Sequence, residues 1–185
     1  MESGTGSITG NYFQPLRFFC RFFLHIIAYI SLALWDDDND GTSNSTERST
    51  LFTLSGLNHG LLYYDDYLYA SSSTTVYRWP YTLGQRYGLS SMQTVVQGIP
   101  SGGHSSRSLV MDDLHRLYVQ VGSGSNVDST AIRSGIFRFN ISDWDAQSPF
   151  SLYDDGEIFA LGMRNEVGKS KKKIGGKNDR YRIEN

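Results

Sequence analysis

Gly102-Gly103-His104-Ser105-Ser106-Arg107 sets one titratable ring among small residues, directly ahead of the apolar run Ser108-Leu109-Val110-Met111. Small neighbours leave a ligand room to reach an imidazole, and a neutral imidazole accepts protons near neutral pH. Loops ahead of strands also carry ordinary solvated histidines. His104 is thus a candidate general base whose surroundings must decide between the two. The loop Gly122-Ser123-Gly124-Ser125-Asn126 has the composition of a phosphate loop, but no lysine or helix follows, which removes that reading. His59 reads as a strand end and His115 as a solvated turn residue. Asp65-Asp66 and Asp112-Asp113 stand between apolar runs and read as turns rather than metal ligands. No Cys/His spacing suggests zinc, and no metal ligand is assigned.

The elements that position these loops are short strands. Leu61 to Tyr64, Asp65-Asp66, Leu68-Tyr69-Ala70 and Val76-Tyr77-Arg78-Trp79 have the same order as Leu109 to Met111, Asp112-Asp113, Leu117-Tyr118-Val119 and Ile136-Phe137-Arg138-Phe139. Both passages run apolar strand, acidic turn, Leu-Tyr strand, then an aromatic strand around an arginine. Strands repeated at about 40 to 50 residues are the mark of propeller blades. Fourth strands are expected from Thr94-Val95-Val96 or Glu157 to Ala160. A β-sandwich with two similar hairpins is the competing architecture. The reading is an all-β chain carrying about two to three blades of a propeller over residues 51–168, preceded by an N-terminal hydrophobic helix. A closed ring needs at least four blades, so the chain is expected to be a fragment.

The 185 residues suffice for one domain with a core. Residues 36–168 hold 8 Arg, no Lys and 16 acids, an acidic balance that argues against a nucleic-acid partner. All 5 lysines fall in residues 169–185, read as a basic disordered tail or as translated intron. After an N-terminal tail at 1–15, residues 16–35 combine Arg17 and Arg21 with the apolar run Phe22 to Leu34. That pattern reads as a signal peptide or membrane anchor, with the rest of the chain secreted or held outside the cytoplasm. Residues 36–50 are polar and read as a linker.

Three motifs carry a resemblance. Gly103-His104-Ser105-Ser106-Arg107-Ser108-Leu109, Arg116 to Ser123, and Gly162-Met163-Arg164-Asn165-Glu166-Val167-Gly168 resemble the glucose/sorbosone dehydrogenase family. Leu57-Asn58-His59-Gly60 and Val76 to Tyr81 are most similar to its pyranose dehydrogenase branch. The resemblance implies a six-bladed propeller, pyrroloquinoline quinone as cofactor, and hydride transfer from a sugar hydroxyl carbon. It also implies His104 as catalytic base and Arg164 with Asn165 as cofactor-binding residues. Calcium is implied too, with ligands mostly beyond the last matching residue. Ser123 stands where glucose dehydrogenases of the family carry an aspartate, so nothing in the sequence orients the His104 ring. The resemblance ends at Gly168, and the fragment is expected to be inactive alone. The alternative function is a non-catalytic extracellular propeller that binds carbohydrate or protein.

Overall fold

The structure, a computed structural model, describes residues 6–8, 23–27, 30–128, 133–164, 170–174 and 180–184. Strands β1 (Gly6–Ile8), β2 (Phe23–Ile27), β3 (Ile30–Leu34) and β4 (Arg48–Thr53) form one antiparallel sheet in sequence order. A second sheet runs β5 (Leu57–Tyr64), β6 (Tyr67–Ser72), β7 (Val76–Pro80) and β8 (Gln93–Gln97). A third contains β9 (Leu109–Met111), β10 (Arg116–Val121), β11 (Gly135–Asn140) and β13 (Glu157–Leu161), while β12 (Phe150–Ser151) crosses back to pair in parallel with β8. Both candidate fourth strands are therefore used, one in each sheet.

The sheets fan out from their first strands. β1 lies against β5, and β5 against β9. Each face of the second sheet belongs to a different core, as the two-residue period of a strand requires. Leu68 and Ala70 of β6 point into a cluster with Ala33, Leu51, Phe52 and Trp79, while Tyr69 between them points into a cluster with Val119, Val121, Phe137 and Phe139. Phe52 stacks on Trp79 with centroids 3.9 Å apart, joining the first sheet to the second. This radial stacking of up-and-down sheets is blade packing, not the two-layer packing of a sandwich.

The two acidic turns differ. Asp65 and Asp66 have φ of 49° and 57°, and Tyr64 pairs directly with Tyr67, so they form a two-residue turn with both centres left-handed. The second turn is longer, because Met111 pairs with Leu117. Here Asp112 is buried and its carboxylate accepts from the Leu114 and Arg116 amides (both 3.0 Å), Arg116 Nε (2.7 Å) and the Tyr118 hydroxyl (3.0 Å). Burial raises the Asp112 carboxyl, but the Arg116 side chain and amide, Tyr118 and the Leu114 amide outweigh it and leave it below its ordinary value. A depressed carboxylate adds stability that is present above its unfolded pKa and disappears as the solution is acidified through the folded one. We expect Asp112→Asn to cost about 2–4 kcal/mol at pH 7 and progressively less as the pH is lowered below the ordinary carboxylate range, read from urea midpoints at pH 7 and at acid pH. An equal loss at both would contradict this.

One sequence expectation is corrected. The apolar run at 22–34 was expected as a helix, but its described residues form β2 and β3. Short apolar runs suit buried strands as well as helices, and here pairing of β3 with β4 decides. Among the described residues no helix is long and apolar enough to cross a membrane. Residues 36–50 include the start of β4 and a tied loop closed by the buried Glu47. Among the described residues of 169–185, β14 (Ser170–Ile174) pairs antiparallel with β15 (Arg180–Glu184).

Candidate active site

His104 sits in the loop that joins β8 to β9. Gly102 and Gly103 adopt φ of 83° and 64°, a pair of left-handed residues that turns the chain into the histidine. A Cβ on Gly103 would strike the backbone of Gly124, and one on Gly122 would strike the His104 carbonyl. The loops 101–107 and 122–128 therefore meet backbone to backbone, which explains the glycines in both. The His104 amide donates to the Ser123 carbonyl (2.9 Å), and Ser123 N donates to the Arg164 carbonyl (2.8 Å). Ser123 Oγ is spent on the Ser125 carbonyl at 2.8 Å, so it shapes the loop rather than orienting the ring.

Beneath the loop lies Arg107, fully buried, its guanidinium bonded to backbone carbonyls. Its Nε donates to the Ser73 carbonyl (2.9 Å), its Nη1 to the carbonyls of His104 (3.1 Å) and Ser106 (2.6 Å), and its Nη2 to Pro100 (2.8 Å). One rigid fork thus ties the His104 backbone to the second sheet. Ser71 Oγ donates to the Arg107 carbonyl (2.9 Å) and Asn58 Nδ2 to the Ser105 carbonyl (2.6 Å). A Cβ on Gly60 would meet that same Arg107 carbonyl. Asn58 and Gly60 of the sequence motif, with Ser71 of β6, are accordingly the seat of the histidine loop. Arg133 braces the other side, its Nη2 donating to the carbonyls of Ser101 (2.6 Å) and Gly102 (2.9 Å).

The half-buried ring of His104 and the exposed Arg164, far apart in sequence, are brought together. Arg164 Nε lies 3.3 Å from His104 Nε2, and Arg164 Nη2 donates to Asn126 Oδ1 at 2.6 Å. Asn126 Oδ1 is also 3.3 Å from His104 Nε2. One ring nitrogen cannot both accept from Arg164 and donate to Asn126. With Arg164 as donor, Nε2 presents its lone pair and the ring proton resides on Nδ1. Ser123, Asn126, Asp128, Ser134, Leu161, Gly162, Met163 and Arg164 line an open cleft of about 500 Å³, which His104 touches only through its contacts to Arg164 and Asn126. Asn126 was missed in the sequence because its loop shows only composition. Asn165, expected to bind cofactor, lies outside the described residues, as does the side chain of His59. His115 reaches the Tyr64 hydroxyl with Nδ1 at 3.3 Å, on another turn.

Fanned antiparallel sheets with a histidine, an arginine and an amide gathered at their loop ends define a propeller-type domain in which the arginine and the amide line an open cleft and the histidine contacts both. The chain belongs to the TrAA12-like family, which it matches over residues 27–185. The match includes part of the run expected as a signal and all of the lysine-rich segment, so the resemblance does not stop at Gly168. Among solved structures, the holo form of the pyranose dehydrogenase PQQ domain from Coprinopsis cinerea superposes with a TM-score of 0.72 at 18% identity, covering 86% of this chain and 44% of that one. The calcium structure of Trichoderma reesei carbohydrate-active enzyme family AA12 gives 0.71 at 26% identity, covering 81% and 40%. Its iodide structure gives 0.69 at 26%, covering 80% and 39%. The chain therefore spans less than half the length of these solved relatives. No curated protein is a detectable relative.

Proposed function

We propose that these sheets carry one side of a pyrroloquinoline quinone site for the oxidation of a sugar hydroxyl, within a six-bladed ring. The observation that supports this best is the meeting of His104 with Arg164 and Asn126, two residues that line the cleft. The donor set suits the group: an exposed guanidinium offers paired N–H donors to a planar, carboxylate-bearing quinone. Asn126, with Asn165 next along the chain from Arg164, would add amide contacts. When bound, the quinone supplies a two-electron acceptor for the hydride that leaves the sugar carbon. His104 Nε2 takes the hydroxyl proton, so one oxidation yields a carbonyl, a proton on the imidazole and a reduced cofactor. Arg164 now rests on the lone pair that this step needs. A cofactor carboxylate that draws Arg164 aside would free the base, so cofactor binding and base exposure are linked.

The test is to supply the chain with pyrroloquinoline quinone and calcium and to follow quinone absorbance and aldose-dependent dye reduction. We expect saturable quinone binding with little turnover from this half of the site. His104→Ala should leave binding intact and lower whatever turnover exists by about 10²–10⁴-fold. Absence of quinone binding would overturn the site. Turnover indifferent to His104→Ala would remove the base.

The second reading, a non-catalytic sugar- or protein-binding propeller, draws on exposed aromatics such as Tyr87, Tyr153 and Phe159. Sugar binding with no quinone binding would favour it.

A further inference from the structure

We propose that the loop between β3 and β4, Asp36 to Glu47, is a calcium site built on the carboxylates of Asp36, Asp38 and Asp40. It is independent of the quinone reading and lies on a different sheet from the His104 loop.

The residues Asp36-Asp37-Asp38-Asn39-Asp40-Gly41, with Glu47 at the twelfth position, place acids at alternate positions before a glycine. That order, D-x-D-x-D-G-x5-E, is the one a calcium loop uses to turn side-chain oxygens inward, the glycine making the sharp bend. The structure makes that bend, with φ of 60° at Asn39 and 85° at Gly41. It also converges the acids. One carboxylate oxygen from each of Asp36, Asp38 and Asp40 lies within 4.8 Å of the others.

A cluster of exposed acids alone would mean little, but Asp36 is not exposed. It is 8% accessible, its Oδ2 accepts from the Gly41 amide at 3.2 Å, and its Oδ1 is buried without a hydrogen-bond partner. A buried anionic oxygen with no donor, next to two more carboxylates, is costly in both desolvation and repulsion. A divalent cation removes both costs. The other acids of the loop are already engaged. Arg86 holds Asp37 through two bonds of 2.7 and 2.8 Å. Glu47 is spent on the loop's own amides, accepting from Asp37 N (2.6 Å), Asp38 N (3.3 Å) and Asn44 N (3.2 Å). Glu47 thus acts here as the clamp that closes the loop, while Asp38 Oδ1 accepts from the Asp40 amide (3.2 Å) and Asp40 Oδ1 from the Thr42 amide and hydroxyl (both 2.7 Å), bonds that shape the loop around the three converging aspartates. Hard oxygen ligands on a loop with two solvent-facing members suit calcium, which accepts waters and irregular geometry, better than magnesium.

The site would stiffen a junction between sheets. Arg86, paired with Asp37, lies over the Trp35 ring at 4.6 Å and belongs to the β7–β8 loop, whose Leu89 amide donates to the Leu51 carbonyl of β4 at 2.7 Å.

The test uses the full chain, stripped by chelator, with calcium titrated by calorimetry and terbium luminescence excited through Trp35. We expect one saturable site with a dissociation constant between about 1 μM and 1 mM, and a terbium signal that calcium displaces. The double variant Asp38→Asn, Asp40→Asn changes two exposed side chains isosterically. It should keep the far-UV spectrum and the calcium-free melting temperature but weaken calcium at least about tenfold. Arg164→Ala should bind calcium as the wild type does. No binding by the wild type at about 10 mM, or equal binding by the double variant, would overturn the proposal. No quinone is needed, so either outcome stands apart from the fate of the redox reading.

Discussion

Arg107→Met is expected to cost about 3 kcal/mol or more, enough to abolish a cooperative transition in a marginal domain. The guanidinium is completely buried and donates to four backbone carbonyls, those of Ser73, Pro100, His104 and Ser106. Burial, and next the charge of Arg133, pull its pKa down to about 10. The residue remains charged at neutral pH, and the buried charge is a cost there, relieved only as pH climbs past the folded value. That cost, about 3 kcal/mol from the size of the shift, is smaller than four charge-assisted bonds at about 1.5–3 kcal/mol each. Methionine fills the volume but orphans the carbonyls. Arg107→Lys keeps the charge without the fork and should fall between the two. Urea melts followed by tryptophan fluorescence decide the matter: an unchanged midpoint for Arg107→Met would show that the carbonyls find other donors.

The second large effect is expected on binding. Arg164→Ala should weaken pyrroloquinoline quinone by about 10–100-fold, the value of one or two hydrogen bonds between charged groups at a solvent-facing site. The side chain contributes no buried packing, since it is exposed, so the melting temperature should hardly move. Its present partners, His104 Nε2 and Asn126 Oδ1, are both neutral acceptors and offer weaker bonds than a carboxylate. A quinone titration by absorbance on both proteins, at fixed ionic strength, measures the ratio. Equal affinities would separate Arg164 from the cofactor and return it to a structural role within the loop cluster.

Much of the strand pattern was legible because it obeys a two-residue period. Leu68, Tyr69 and Ala70 alternate between two cores as their order foretells. The Asp-Asp repeat was legible only as punctuation, for one copy is a tight turn and the other a carboxylate hub. His104 and Arg164 could be named from motifs, yet their contact could not, since it depends on Gly103 and Gly122 letting two backbones touch. Asn126 gave no signal, as a loop amide has no period. The first sheet was misread because β2 and β3 come from one continuous apolar run, which hydropathy alone reads as a span. The spacing of Asp36, Asp38, Asp40 and Gly41 was present in plain letters. The polar composition of 36–50 hid it behind the reading of a linker.

The middle sheet gives its two faces to two separate cores, and this governs how the chain can come apart. Within this chain each of the two flanking sheets shares one interface with it. Displacing the middle one forfeits both interfaces at once. Of the described strands, β6 and β7 should therefore be among the slowest to give up their amide protons to solvent.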